Sequence, residues 1–179
     1  MVAAPASPVA ISNDLPIDFN RELFNAVVDA VPKALVMCGA KARCVGVSRM
    51  PSKQYGELTG LIGAHGRVSG FIAVNMSKRL ALHVVDGLLG ERFPDLTPQV
   101  IDSAGEVTNI IVGGIKSSLS RGEWAFSNIT VPSVIVGDGY QVTFASGIEL
   151  IDICFEVDNP DAIKTSDRLL HVTLSLLKL

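Results

Sequence analysis

The end of the chain sets the strongest constraint on its fold. Leu170, Val172, Leu174 and Leu176 alternate with His171, Thr173 and Ser175 almost to the last residue. Alternation over this length is the pattern of a strand with one apolar face. Such a strand cannot stand alone, because its backbone N–H and C=O groups need partners and its apolar face needs cover. It must therefore dock in a sheet, either its own or that of a second copy. Just upstream, Ile151, Ile153, Phe155 and Val157 alternate with Asp152, Cys154 and Glu156, which gives another strand with one apolar and one mainly polar face. Asn159, Pro160 and Asp161 break the run between the two.

Ahead of these strands the texture changes twice. Leu23, Val27, Val28, Val31, Leu35 and Val36 recur at helical spacing and predict a helix from about Phe19 to Met37, kinked or divided at Pro32 and stopped at Gly39. Ala42 to Val74 reads as strands. Within it, Leu58 to Ile62 and Val68 to Val74 form a hairpin around a Gly63-Ala64-His65-Gly66 turn, with His65 exposed. Ser77 is suited to cap a helix running through Leu80, Val84, Val85, Leu88 and Leu89 to Gly90. Thr97 then caps another, with Pro98 in its first turn, that reaches about Ser120. Ile129 to Val136 predicts a β-branched strand ending at Gly137-Asp138-Gly139, and Tyr140 to Phe144 begins the next.

Helices and antiparallel-looking strands without βαβ regularity make an α+β fold, a mainly antiparallel sheet packed with helices. The order helix, strands, helix, then helix and strands again suggests a weak internal duplication, visible in element order and not in residue identity. Residues 1–16, rich in Ala and Pro, read as a flexible arm, and residues 17–179 as one domain.

Composition narrows the function. Hydrophobic residues make up 48% of the chain and charged residues only 18%, with a mean hydropathy of +0.40. This favours a large core, an oligomer interface, or both. No run of apolar residues is long enough to span a membrane, and no secretory signal precedes the domain, so the expected location is the cytoplasm. The net charge is −3 and the basic residues are scattered, which leaves no footprint for nucleic acid. Cys38, Cys44 and Cys154 lack zinc-site spacing and read as small buried or half-buried groups, and His65, His83 and His171 lie far apart.

The segment Val100 to Ser120 carries the most chemistry. On a helical wheel Val100, Ile101, Ala104, Val107, Thr108, Ile111, Ile115, Ser118 and Leu119 fall on one side, the expected core face. Asp102, Glu106, Asn109 and Gly113 gather opposite, with Gly105, Lys116 and Ser117 at the margins. Glu106 and Asn109 are three residues apart, so their side chains emerge as neighbours. Gly113 and Gly114 each cost about 1 kcal/mol relative to Ala inside a helix. A kink, a close crossing against another element, or a face kept bare for a macromolecular partner would each account for them.

The stretch from Asp102 to Leu119, with Glu106-Val-Thr-Asn109 at its centre and Gly105 and Gly113 flanking it, resembles the signature helix of the CheX-like chemotaxis phosphatases, within the CheC/CheX/FliY group. The Val131-Pro-Ser-Val-Ile-Val-Gly-Asp-Gly139 stretch is similar to the strand and turn that follow this helix in that family. The resemblance covers nearly the whole domain, from about Ile17 onward.

It implies a CheC/CheX-like fold and removal of the phosphoryl group from an aspartate of a CheY-like response regulator. By position, Asn109 would orient the attacking water and Glu106 would pair with the regulator's lysine. Asp102, Gly105 and Gly113 would shape the docking surface. The chain itself would hold no cofactor or metal, the required Mg²⁺ being supplied by the regulator. An acyl phosphate is already activated, so a placed water and charge stabilisation suffice, with no side-chain nucleophile. Members of the CheC branch carry a second Glu-x-x-Asn on their first helix. Glu22 and Asn25 have that spacing, but they sit near the helix start without the following glycines and read as helix surface or cap.

Two other functions share the same helix: a non-catalytic regulator-binding or scaffold protein, and a flagellar-switch structural protein, the latter disfavoured by the lack of a recognisable further domain. The low charge fraction, the terminal strand and the resemblance together lead to the expectation of a homodimer, with the terminal strand exchanged between subunits if the Asn159 to Asp167 linker can cross.

Overall fold

A computed structural model of the chain describes residues 19–49, 56–137, 139 and 147–179. The elements, in chain order, are α1 (Arg21–Met37), β1 (Ala42–Ser48), β2 (Leu58–Gly66), β3 (Val68–Met76), α2 (Lys78–Leu89), α3 (Pro98–Leu119), β4 (Phe126–Ile129), β5 (Ser133–Val136), β6 (Glu149–Val157) and β7 (Leu169–Lys178). The expected arm over residues 1–16 and the strand expected from Tyr140 to Phe144 lie outside the described residues.

The strands form one antiparallel sheet in the order β1-β6-β7-β3-β2-β4, with β5 also on β2. The terminal strand is thus central, bonded to β6 on one side and β3 on the other within the same chain. The order also reads as two interleaved halves about the β3–β7 seam, since β2 and β6 flank it and β1 and the β4/β5 pair form the edges. This gives the duplicated element order a spatial form.

The helices cover one face of the sheet. There the inward residues Ile151, Ile153, Phe155, Leu170, Val172 and Leu174 are fully buried, and α3 contributes Val107, Ile111, Val112 and Ile115 to the same core. The helix ends follow local chemistry. Ser77 Oγ accepts from the Leu80 N–H at 3.2 Å and Thr97 Oγ1 from the Val100 N–H at 3.3 Å. At the end of α1, Gly39 takes a left-handed φ of 66°. The Ala40 N–H then bonds the Leu35 carbonyl and the Gly39 N–H that of Val36, which satisfies the orphan groups of the last turn.

Four expectations change. First, α1 runs unbroken through Pro32. Burial of Val27, Ala30, Val31, Ala34 and Leu35 on one face outweighs the one backbone bond that proline removes, a cost of about 3 kcal/mol. Second, Gly63 to Gly66 belong to β2, and the hairpin reverses at Gly66 and Arg67. Gly63 is held in the strand by Thr130, whose Oγ1 accepts from its N–H at 2.9 Å and whose own N–H bonds the Gly63 carbonyl at 3.0 Å; His65 is exposed as expected, but in the strand. Third, that same link splits the strand expected from Ile129 to Val136 into β4 and β5, which share one edge of β2. Fourth, Ser118 is exposed, not in the core.

The polar face of β6 and β7 is itself partly buried. Asp152 is only 4% exposed. It accepts from Thr173 Oγ1 at 2.6 Å and lies 3.0 Å from His171 Nδ1. The Asp152 carboxylate, and after it the Cys154 sulfur, hold the His171 pKa up to about 10, against an ordinary 6.5.

A histidine raised in this way contributes stability that is whole below about pH 6.5 and is lost as pH climbs through about 10. Replacing His171 with Gln should therefore cost about 2 kcal/mol near pH 6.5, the worth of a charge-assisted hydrogen bond, and almost nothing at pH 10. Denaturant unfolding of parent and variant at the two pH values checks this; an equal deficit at both would show that packing, not charge, gives His171 its weight.

Candidate functional site

Helix α3 is fixed on three sides before its outer stripe is considered. Beneath it, a Cβ on Gly60 of β2 would collide with Thr108, whose hydroxyl turns back to the Ala104 carbonyl at 2.9 Å. On one flank, a Cβ on Gly114 would lie 3.0 Å from the Ala30 Cβ of α1. On the other, Gly105 is buried, with Val134 Cγ2 at 3.3 Å and Pro132 Cγ at 3.6 Å from a Cβ built there. The two adjacent glycines thus differ: Gly114 permits a close helix–helix crossing, whereas among the described residues nothing lies within 4 Å of a Cβ on Gly113.

The stripe that remains carries Asp102 and Glu106, both exposed, then the half-buried Asn109 and the open position at Gly113. None of the three polar side chains is engaged in a hydrogen bond or ion pair among the described residues. Gly105 does not belong to this surface, because Pro132 and Val134 cover it. Its part is to let β5 and the preceding loop lie close against α3.

Asn109 and Gly113 form one wall of an open groove of about 880 Å³. Phe126 and Ser127 of β4 line the other side, and two cations stand at the groove, Arg67 from the β2–β3 reversal and Lys116 about two turns beyond Asn109. Glu106 lies outside the groove, one turn toward the helix start. The sequence reading missed Arg67 because it placed the hairpin reversal at Gly63 to Gly66, four residues of strand too wide.

The Glu22/Asn25 pair on α1 is used differently. Glu22 is half-buried and its Oε1 accepts from the Trp124 N–H at 3.5 Å, against Gly122, so it ties α1 to the loop that follows α3. Asn25 is exposed. Among the described residues, no group of three or more His, Cys, Asp or Glu side chains is arranged to hold a metal ion, and no helix is long and apolar enough to cross a membrane.

A family model described as Chemotaxis phosphatase CheX matches residues 58–156, more than half of the chain. No curated protein matches the sequence. Among solved structures, a chemotaxis protein CheX from Desulfovibrio desulfuricans is similar at 26% identity over 86% of this chain and 99% of its own, with a TM-score of 0.72. A putative chemotaxis protein from Desulfovibrio vulgaris Hildenborough aligns at 25% identity over 87% of this chain and 96% of its own, with a TM-score of 0.74. The CheX of a CheX–CheY–BeF3–Mg complex from Borrelia burgdorferi shares the fold at 22% identity, over 90% of this chain and 99% of its own, with a TM-score of 0.67. With the antiparallel sheet and its covering helices, the family match leads to one conclusion: this chain belongs to the CheC/CheX/FliY chemotaxis phosphatase superfamily.

Proposed function

We propose that this protein dephosphorylates the phospho-aspartate of a CheY-like response regulator, with α3 as the docking helix. The observation that carries the reading is the stripe of unengaged polar side chains, Asp102, Glu106 and Asn109, beside the open position at Gly113. Polar groups on a helix otherwise pinned on three sides are presented at fixed spacing, which is what positioning a reactive water demands. The Borrelia complex, in which a CheX occurs together with CheY, supports the choice of partner.

In this mechanism the Asn109 amide both accepts from and donates to the attacking water, which no single charged side chain does. It holds the water in line with the phosphorus–oxygen bond that breaks, and water supplies the oxygen of the released phosphate. Glu106, one turn away, pairs with the regulator's active-site lysine and sets the register of docking. Mg²⁺ comes with the regulator. Arg67 and Lys116 make no ion pair among the described residues and suit the groove to an acidic, phosphorylated partner by steering its approach.

Asn109→Ala should lower regulator dephosphorylation about 100-fold, the scale of a lost water-positioning group, with stability changed by no more than about 0.5 kcal/mol. Glu106→Ala should weaken docking about tenfold, near 1.4 kcal/mol, and slow the reaction too. Decay of phosphorylated regulators with Mg²⁺ in excess, with and without each variant, measures both. Binding without accelerated decay by the parent would replace the phosphatase with a regulator-binding scaffold, and decay unaffected by Asn109→Ala would remove its assigned role.

The two neighbouring glycines separate docking from folding. Gly113→Leu should fold normally and lose regulator binding, whereas Gly114→Leu should be destabilised by about 1–3 kcal/mol by overpacking against Ala30. Thermal melts and binding titrations on the pair check this contrast.

A homodimer is the proposed assembly. The terminal strand is paired on both sides within the chain, so strand exchange is not needed to satisfy its backbone. Support comes instead from Phe71 and Leu177, neighbours on the outer face of β3 and β7, which are 52% and 41% exposed. Light scattering coupled to size exclusion should give about twice the 18.9 kDa chain mass. A value that stays at one chain mass at all loadings would make the protein a monomer.

A further inference from the structure

The outer face of the sheet, opposite the helices, carries a second group of reactive side chains that the α3 site does not use. Cys154 on β6 stands directly across from His171 on β7, with Sγ 3.6 Å from Nε2. The other ring nitrogen, Nδ1, lies 3.0 Å from Asp152 Oδ2, and Thr173 Oγ1 donates to the second carboxylate oxygen at 2.6 Å. The next charged groups on this face, Arg43 and Glu156, are bonded to each other.

The order Asp–His–Cys has a chemical direction. Asp152 is buried and takes the Nδ1–H, which fixes the ring orientation and favours the imidazolium. An imidazolium has a donor on both nitrogens, so its Nε2–H is aimed at Sγ. A cationic N–H aimed at sulfur stabilises negative charge on it, and the thiolate is the nucleophilic form. His171 is 26% exposed and Cys154 half-buried, so a small reagent reaches this edge of the group. The other two thiols are placed otherwise: burial pushes Cys38 up to about 11 and raises Cys44 as well.

We propose that Cys154 is a nucleophilic thiol, positioned by His171 and Asp152, and a site of mixed-disulfide formation with low-molecular-weight disulfides. In the step, Cys154 Sγ gives its proton to solvent and attacks one sulfur of R–S–S–R. The Cys154–S–S–R bond forms as the original S–S bond breaks. The departing thiolate takes up a proton and leaves as RSH, so Cys154 is oxidised and one half of the reagent is reduced. His171 and Asp152 are positioning residues here and exchange no electrons.

The test is reaction of the reduced full-length chain with glutathione disulfide at pH 6.5, followed by intact mass and peptide mapping. Cys154 should be modified first, about tenfold faster than Cys44. His171→Gln should slow Cys154 about tenfold, with Cys38, which does not face this group, unaffected. Should that variant fail to fold, the order of modification in the parent decides alone. Modification of Cys154 no faster than Cys44 overturns the proposal.

Discussion

The close seating of α3 is the constraint on which the rest of the structure depends. The sheet reaches it where Gly60 leaves room for Thr108, and α1 reaches it where Gly114 leaves room for Ala30. A helix seated at this distance cannot roll or slide without driving Val107, Ile111 and Ile115 out of a fully buried core. At about 1.5–3 kcal/mol for each such side chain, the orientation is unique in practice. Which residues face outward is therefore not a free variable: burying the apolar stripe leaves Asp102, Glu106, Asn109 and Gly113 on the far side.

The same seating explains why one Glu-x-x-Asn pair stands free while the other does not. On α3 the pair sits in mid-helix, away from the loops at either end. On α1, Glu22 lies in the first turn, beside the loop after α3, and that loop needs an acceptor for the Trp124 N–H. A carboxylate recruited into holding a loop is no longer presented to a partner. Helix position, and not the bare spacing, distinguishes the two.

The sheet shows how a polar side chain acquires a different meaning by neighbourhood. Along β6 and β7, Asp152, Cys154, His171 and Thr173 alternate with core residues and so occupy the outer face. Cross-strand pairing brings them within hydrogen-bond distance of one another, although β6 and β7 are separated by the residues of a long connection. Once Asp152 is buried among them, its charge requires compensation, and His171 supplies it. Placing β7 in the middle of the sheet, with β6 on one side and β3 on the other, creates this group.

Much of the fold was legible from local pattern. Alternation identified β6 and β7, periodicity identified the three helices, and Ser77, Thr97, Gly39 and Gly90 marked ends whose bonding the backbone alone requires. The outward stripe of α3 was legible too, because helical geometry fixes which residues share a face. Tertiary structure decided the rest, since it depends on what lies opposite. Thr130 pulled Gly63 into a strand and moved the reversal to Gly66 and Arg67, which brought a cation to the groove. Helix α1 stayed continuous through Pro32 because its buried face outweighed one missing bond. Gly105, Gly113 and Gly114 look alike in sequence, yet one lies under β5, one against α1 and one in the open. A glycine carries no side chain to announce its neighbour, and only the packed chain shows which neighbour is there.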